Sequence, residues 1–437
     1  MAAHCFDATT FVGPCNHKAR GQHHNPPAPG RSHYLKIKRK QVCNKFFIGM
    51  KRIHTILIIL LLAVTYGEAK KSSDDRQMDD FITSLMKKMT LEEKIGQLNL
   101  GGVGSPKVVG SAIGLDEAIR KGLVSSVGGF DAKAAEDAQK FAVENSRMKI
   151  PLITGLDVVH GYYTIFPIPL ASACSWNMPL LEESARVAAD EASAFGINWT
   201  FAPMVDICRD PRWGRIAEGA GEDPCLGSRI GRAMVRGFQG DDLSKPNTLL
   251  ACVKHFALYG ASEAGRDYNT VSMDPVTMYN YYLPPYKAAF DEGAGSGMTS
   301  FNVVNGVPAT GNKWLLTDLL RDQWKFKGFM VSDANSLAEM SEHGMGGAQR
   351  ITELAMNAGL DMDMSSSLYV LCLKKAVEEK RVPLSRIDAA CRRVLEAKYK
   401  LGLFEDPFRY LKNKQRQSQV LSPQNRDVAR RLAAESI

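Results

Sequence analysis

The sequence predicts an α/β chain folded as a (β/α)8 barrel, on three observations. Short apolar runs alternate with longer amphipathic stretches, the pattern of strands and helices around a mainly parallel sheet. Eight such runs can be read: Ile95–Leu100, Leu123–Val127, Leu152–Leu156, Thr200–Ala202, Leu249–Val253, Gly297–Phe301, Phe329–Val331 and Leu360–Met362. Polar clusters follow the C-terminal ends of several of them, which in a barrel enzyme is the rim where reactive groups collect.

Before the barrel comes a segment of different character. From Met50 the residues MKRIHTILIILLLAVTYGEAKK combine Lys51 and Arg52, an apolar run Ile56–Val64, and small residues Gly67 and Ala69. That order predicts a secretory signal peptide over residues 50–69, and hence a periplasmic or secreted protein. The apolar run is too short for the roughly 20 residues of a spanning helix, so a stable membrane anchor is disfavoured. Residues 1–49, rich in His, Pro and Lys, are read as an upstream extension, either a mis-chosen start or a disordered basic tail. The whole formal charge of +8 falls within Met1–Ala69. The remainder is neutral, which removes the argument for a nucleic-acid or other polyanionic partner.

Past that segment the cysteines are Cys174, Cys208, Cys225, Cys252, Cys372 and Cys391. They show neither C-x-x-C pairs nor a repeated spacing, so most are expected to be core thiols rather than metal ligands or a disulfide framework. Residues 70–410 are long enough for one large barrel domain, and 411–437 read as a linker. Helical spacing is clearest over Glu182–Phe195 and Ala348–Ala358.

The clusters that could carry chemistry are four. GLDVVHG supplies Asp157 and His160; DICRDPRWGR supplies Asp206, Arg209, Asp210, Arg212 and Arg215; CVKHF supplies Lys254 and His255; GFMVSD ends on Asp333. Any one alone reads better as a helix cap, a surface ion pair or a solvated strand end. Their recurrence at successive strand ends favours a site. The histidines outside the leader are His160, His255 and His343, and two of the three sit in these clusters. With neither H-x-H nor H-E-x-x-H present, no metal or other cofactor is implied.

The ordered strings MTLEEKIGQL, GLDVVHG, RDPRWGR, EGAGEDP, CVKHF, RDYNT, FKGFMVSD and KYKLGLFEDP span Met89 to Pro407. Together they make Asp79–Ile437 resemble glycoside hydrolase family 3, and within it the periplasmic β-glucosidases. The resemblance implies a TIM-like barrel and retaining, exo-acting removal of terminal β-D-glucosyl residues from β-glucosides or short β-linked gluco-oligosaccharides. It implies that Asp333 is the nucleophile. Asp157, Arg215, Lys254 and His255 would hold the sugar in the −1 subsite, as charge-assisted hydrogen bonds to hydroxyls can do.

Three departures accompany the likeness. Two-domain relatives carry the acid/base glutamate on a C-terminal α/β sandwich domain, which is expected to be lacking here because the sequence stops at ARRLAAESI. Single-domain relatives use a His-Asp pair after K-H-F, where this chain has ALYGASEAGRDYNT. Glu263 and Asp267 in that stretch read as solvated loop charge. Ala334 stands where many relatives have an aromatic residue or histidine, and Cys208 faces Ile216 in place of the family's second cysteine, so no disulfide is inferred there. Two other readings stay open: a glycan-binding or catalytically impaired barrel, and a β-N-acetylhexosaminidase of the same family, which the absent loop histidine disfavours.

Overall fold

The computed structural model describes residues 74–102, 114–128, 132–412 and 414–437. The expected extension 1–49 and signal peptide 50–69 lie outside these residues. No helix among them is long and apolar enough to cross a membrane.

Eight strands form one parallel sheet: β1 (Asn99–Gly102), β2 (Ser126–Gly128), β3 (Ile153–Leu156), β4 (Trp199–Thr200), β5 (Leu250–Phe256), β6 (Ser296–Thr299), β9 (Phe329–Val331) and β10 (Asp363–Met364). A two-stranded antiparallel hairpin, β7 (Val303–Val304) with β8 (Val307–Pro308), interrupts the series after β6. The sheet order β10-β1-β2-β3-β4-β5-β6-β9 brings its two edges together. They join through Ser332 N–H to Met362 O at 2.9 Å and Asp361 N–H to Met330 O at 3.0 Å, beside the parallel bridge Val331–Met362. The result is the eight-stranded barrel expected from the sequence.

Packing explains the closure. Trp199 stands edge-on to Phe201 and Phe329, at 4.8 and 5.2 Å between ring centroids. Its indole N–H donates to Ser296 Oγ at 2.8 Å, so the one polar atom of a fully buried ring is satisfied. At the strands' N-terminal end the buried Asp361 carboxylate receives Arg321 Nη2 at 2.6 Å and Arg393 Nη1 at 2.5 Å. A buried carboxylate is stable only with such partners, and these two tie the end of the barrel to its outer helices.

The first expected strand is displaced. Thr90 and Glu93 form a reciprocal capping box that starts a helix Leu91–Gly96, so pairing begins only at Asn99. The last shifts similarly, from Leu360–Met362 to Asp363–Met364, although Met362 already bridges to Val331. The helix expected over Glu182–Phe195 runs Met178–Ala194, capped by Asn177 with a proline in its first turn. Ala348–Ala358 is helical over the expected span. All six cysteines of the described residues are free, but among them only Cys208, Cys252 and Cys391 are core thiols; Cys174 and Cys225 are exposed.

Residues 411–437 contain the helix Pro423–Glu435, which lies on Met178–Ala194. Val428 and Leu432 are buried there with Phe166, Leu180 and Leu181. Burying two aliphatic side chains contributes roughly 1.5–3 kcal/mol each. The deeper tie is Glu191. Its buried carboxylate accepts from the backbone N–H groups of Tyr163 (3.0 Å), Thr164 (2.6 Å) and Leu421 (3.0 Å), and from Asn425 Nδ2 (2.9 Å). One side chain therefore pins both the loop after β3 and the C-terminal segment.

Candidate active site

At the C-terminal rim of the barrel, strands β3, β5 and β9 deliver the polar residues singled out in the sequence. β5 is buried along all seven residues, yet it includes Lys254 and His255 near its end. Two charged-type side chains in such a strand are stable only if each finds a partner. Lys254, 5 % exposed at its side chain, reaches Asp157 Oδ1 at the end of β3 at 2.5 Å; Asp157 itself is 57 % exposed. The pair thus runs from the barrel interior to solvent.

His255 is held more tightly. Asp206 Oδ2 accepts from both the backbone N–H and the Nδ1 of His255, each at 2.9 Å. Asp206 Oδ1 accepts from the hydroxyl of Tyr286, which also lies 2.8 Å from the His255 carbonyl oxygen. Three donors on two buried oxygens suit an ionised carboxylate, which only accepts. The network therefore assigns the His255 proton to Nδ1 and leaves Nε2 as an acceptor. Arg215 Nη2 sits 2.9 Å from Nε2 and fills that role as donor.

Arg215 carries a bidentate pair with Glu218, Nε to Oε1 at 2.7 Å and Nη2 to Oε2 at 3.1 Å. Its guanidinium also lies over the Tyr259 ring, 5.5 Å from the centroid. Burial opposes the charge on Arg215, but the Glu218 carboxylate outweighs it and raises the pKa above the ordinary arginine range. Burial likewise pushes the Glu218 carboxyl up, and Arg215 with Lys254 more than reverses this.

Asp333 completes the cluster from the end of β9. Its Oδ1 accepts from the Ala334 N–H at 2.7 Å, while Oδ2 lies 3.5 Å from His255 Nε2, with the side chain 14 % exposed. One carboxylate oxygen is thus fixed by backbone, and the other lies beside the unprotonated Nε2 and within electrostatic range of the Arg215 guanidinium. Asn335, left-handed at φ 64°, turns the chain away so that the side chain of Asp333 is presented at the rim.

The candidates Asp157, Lys254, His255, Arg215 and Asp333, expected from the sequence, are linked in one network through these contacts. Other residues of the same motifs are not. Arg212 pairs with Asp210 on the exposed loop at 2.6 Å, Arg209 lies over Tyr281, and His160 Nδ1 is 3.3 Å from the Phe166 carbonyl oxygen. Three members of the network are not among those expected to bind the sugar: Asp206, Glu218 and Tyr286. Asp206 and Glu218 stand in the motifs given above among other charges, whereas nothing local marks Tyr286, whose helix Pro284–Asp291 meets β5 from outside. A separate, mostly apolar cavity behind the loop after β3, lined by Phe166, Leu181, Met234 and Phe238, touches the network at Glu218. It offers few convergent polar groups and does not suit a sugar.

A buried, paired network beside a carboxylate at the barrel rim is an arrangement able to hold and orient a polar ligand. Comparisons with known proteins place the chain in a family. Residues 90–397 match the profile described as "Glycosyl hydrolase family 3 N terminal domain". The chain is 42 % identical over 368 residues to a periplasmic beta-glucosidase of Salmonella typhimurium, covering 82 % of this chain and 47 % of that protein. A putative beta-xylosidase of Formosa agariphila is 32 % identical over 368 residues, 79 % of this chain and 48 % of that one. Among solved structures, a beta-glucosidase from Listeria innocua in complex with isofagomine superposes with a TM-score of 0.77 at 42 % identity, covering 82 % of this chain and 51 % of that chain. The chain spans about half the length of the relatives it matches. With the barrel, the paired rim and the matched profile agreeing, the chain belongs to glycoside hydrolase family 3 and carries that family's N-terminal domain.

Proposed function

We propose that this chain is the donor-sugar half of a retaining, exo-acting β-glucosidase, with Asp333 as nucleophile. The observation that carries the reading is the position of Asp333 Oδ2, 3.5 Å from His255 Nε2 and beside a network of paired basic groups. Asp157, Lys254, Arg215 and His255 bind the hydroxyls of the terminal glucosyl unit. Asp333 forms a bond to the anomeric carbon as the glycosidic C–O bond breaks, and the electron pair leaves on the departing oxygen. Water then attacks the glycosyl-Asp333 ester and releases glucose with retained configuration.

The departing oxygen needs a proton when it belongs to a sugar. In this reading Asp157, Asp206 and Glu218 do not supply it, because each is committed to Lys254, His255 or Arg215. The relatives' names support the glucosidase reading, and the Listeria protein was also crystallised with glucose and, as a mutant, with laminaribiose. Export to the periplasm or beyond belongs to the same proposal, on the signal-like residues 50–69 and the periplasmic relative.

Activity on a dinitrophenyl β-glucoside, compared with the matching β-xyloside, tests it. The expected result is a preference for the glucoside that Asp333→Asn abolishes. A preference for the xyloside would assign the donor as xylose, in line with the xylosidase relatives. A folded protein that binds glucose but turns over neither compound would favour a glycan-binding role.

A further inference from the structure

Tyr259 follows β5 closely, in the turn Tyr259–Ala261, and is fully buried. Its ring lies beneath the Arg215 guanidinium, 5.5 Å from the centroid, and stands at 83° to the His255 imidazole with the ring centroids 5.4 Å apart. One side chain therefore packs against two residues of the donor network that arrive from different segments, Arg215 from the turn Gly214–Glu218 and His255 from β5.

The ring is itself held. Trp213 is fully buried, stands 5.2 Å from Tyr259 between centroids, and donates its indole N–H to Asp267 Oδ1 at 2.9 Å. Phe301 lies 6.1 Å from the same ring. Gly260 allows this close approach, because a Cβ there would meet the Ile207 carbonyl oxygen at 2.2 Å and the Trp213 ring at 3.2 Å. The Tyr259 hydroxyl contributes less: it is buried with no hydrogen-bond partner among the described residues, which costs stability. Burial and then the Asp267 carboxylate push its pKa far above the ordinary phenol range, so it stays protonated and adds no charge to the site. What the position uses is the ring.

The polar contacts of Arg215 and His255 leave something for that ring to do. Glu218 grips the guanidinium through Nε and Nη2, and Asp206 grips the imidazole through Nδ1. A pair along one edge does not fix the tilt of a guanidinium plane, and a hydrogen bond at one nitrogen does not fix the tilt of an imidazole. Resting on the glucosidase reading above, we infer that Tyr259 is a positioning residue of the donor site, whose ring sets the tilt of Arg215 and His255 together. It touches no sugar itself, being fully buried. A core filler at the same place needs only volume, whereas a platform beneath a guanidinium needs the negative face of an aromatic ring.

The test separates those two demands by calorimetric glucose affinity of the full chain, with a thermal melt of every variant. Tyr259→Phe, which keeps the ring, retains the affinity, and Tyr259→Leu lowers it roughly tenfold. Replacing Tyr259 by a ring-trifluorinated phenylalanine keeps the shape but drains negative charge from the ring face, and lowers the affinity about threefold below that of Tyr259→Phe. A merely space-filling side chain would not respond to that fluorination. Affinity in the fluorinated protein equal to that of Tyr259→Phe overturns the inference, and so does a folded Tyr259→Leu that binds glucose as the unaltered protein does. Should Tyr259→Leu fail to fold, the fluorinated protein decides alone. An unaltered protein that binds no glucose would overturn the donor-site reading and the inference with it.

Discussion

Asp206 holds His255 at two points, its backbone N–H and its Nδ1, both at 2.9 Å from Oδ2. That grip decides which imidazole nitrogen faces Arg215 and Asp333. Asp206→Asn would place an amide N–H against a donor, either Nδ1–H or the Tyr286 hydroxyl. Losing hydrogen bonds to a buried charged group costs about 1.5–3 kcal/mol, so urea denaturation should detect a destabilised protein. Glycosylation by an activated glucoside should slow at least about tenfold, since His255 no longer holds one orientation. Tyr286→Phe, which removes a single donor, should be milder on both measures.

Arg215→Lys tests whether planarity matters beyond charge. A lysine ammonium cannot make the bidentate pair with Glu218 and also reach His255 Nε2. Glucose affinity, measured by calorimetry, is expected to fall on the order of tenfold although the formal charge is kept. An unchanged affinity would show that only the positive charge at this position is used.

Glu191→Ala should loosen two segments that are far apart in sequence. The carboxylate accepts from Tyr163 and Thr164 in the loop after β3 and from Leu421 and Asn425 near the C-terminus. Hydrogen exchange should therefore accelerate at the amides of 163, 164 and 421 together, while the amides of β5 stay protected. Faster exchange at only one of the two segments would mean that other contacts hold the second.

Lys398 gives the protein a defined pH dependence. It is fully buried, donates to Gln97 Oε1 at 2.7 Å, and is pushed down to about 7 by burial. The unfolded chain keeps this proton up to the ordinary lysine range. Between about 7 and 10 the unfolded state thus binds more protons, and the Lys398 contribution makes the protein more stable as pH rises; below 7 it is flat and unfavourable. Lys398→Met should gain on the order of 2 kcal/mol at pH 6, net of leaving Gln97 without its donor, and the gain should shrink toward pH 10. A pH-independent difference in melting temperature would contradict the assignment.

What is legible in the sequence is set by locality. The barrel can be read because each strand is a short apolar run, and the polar residues at β3, β5 and β9 stand out against that background. The start of β1 is harder, because Ile95 and Leu98 look like strand residues once the Thr90–Glu93 capping box is passed over. Asp157, Lys254, His255, Arg215 and Asp333 interrupt otherwise apolar or tightly turned motifs. Asp206 and Glu218 lie among Arg209, Asp210 and Arg212, where only the fold separates the buried acids from surface pairs. Tyr286 donates across 80 residues to Asp206, and no spacing rule reaches that far.

Intact-protein mass spectrometry of the chain after exposure to dinitrophenyl 2-deoxy-2-fluoro-β-glucoside tests the central claim most directly. Its leaving group departs without an acid, so the first chemical step needs only Asp333 and the residues that hold the donor sugar. The account predicts a mass increase of one fluoroglucosyl unit, located by peptide mapping to Asp333 and absent from Asp333→Asn. A folded protein that gains no adduct, or gains one on a different residue, would contradict it.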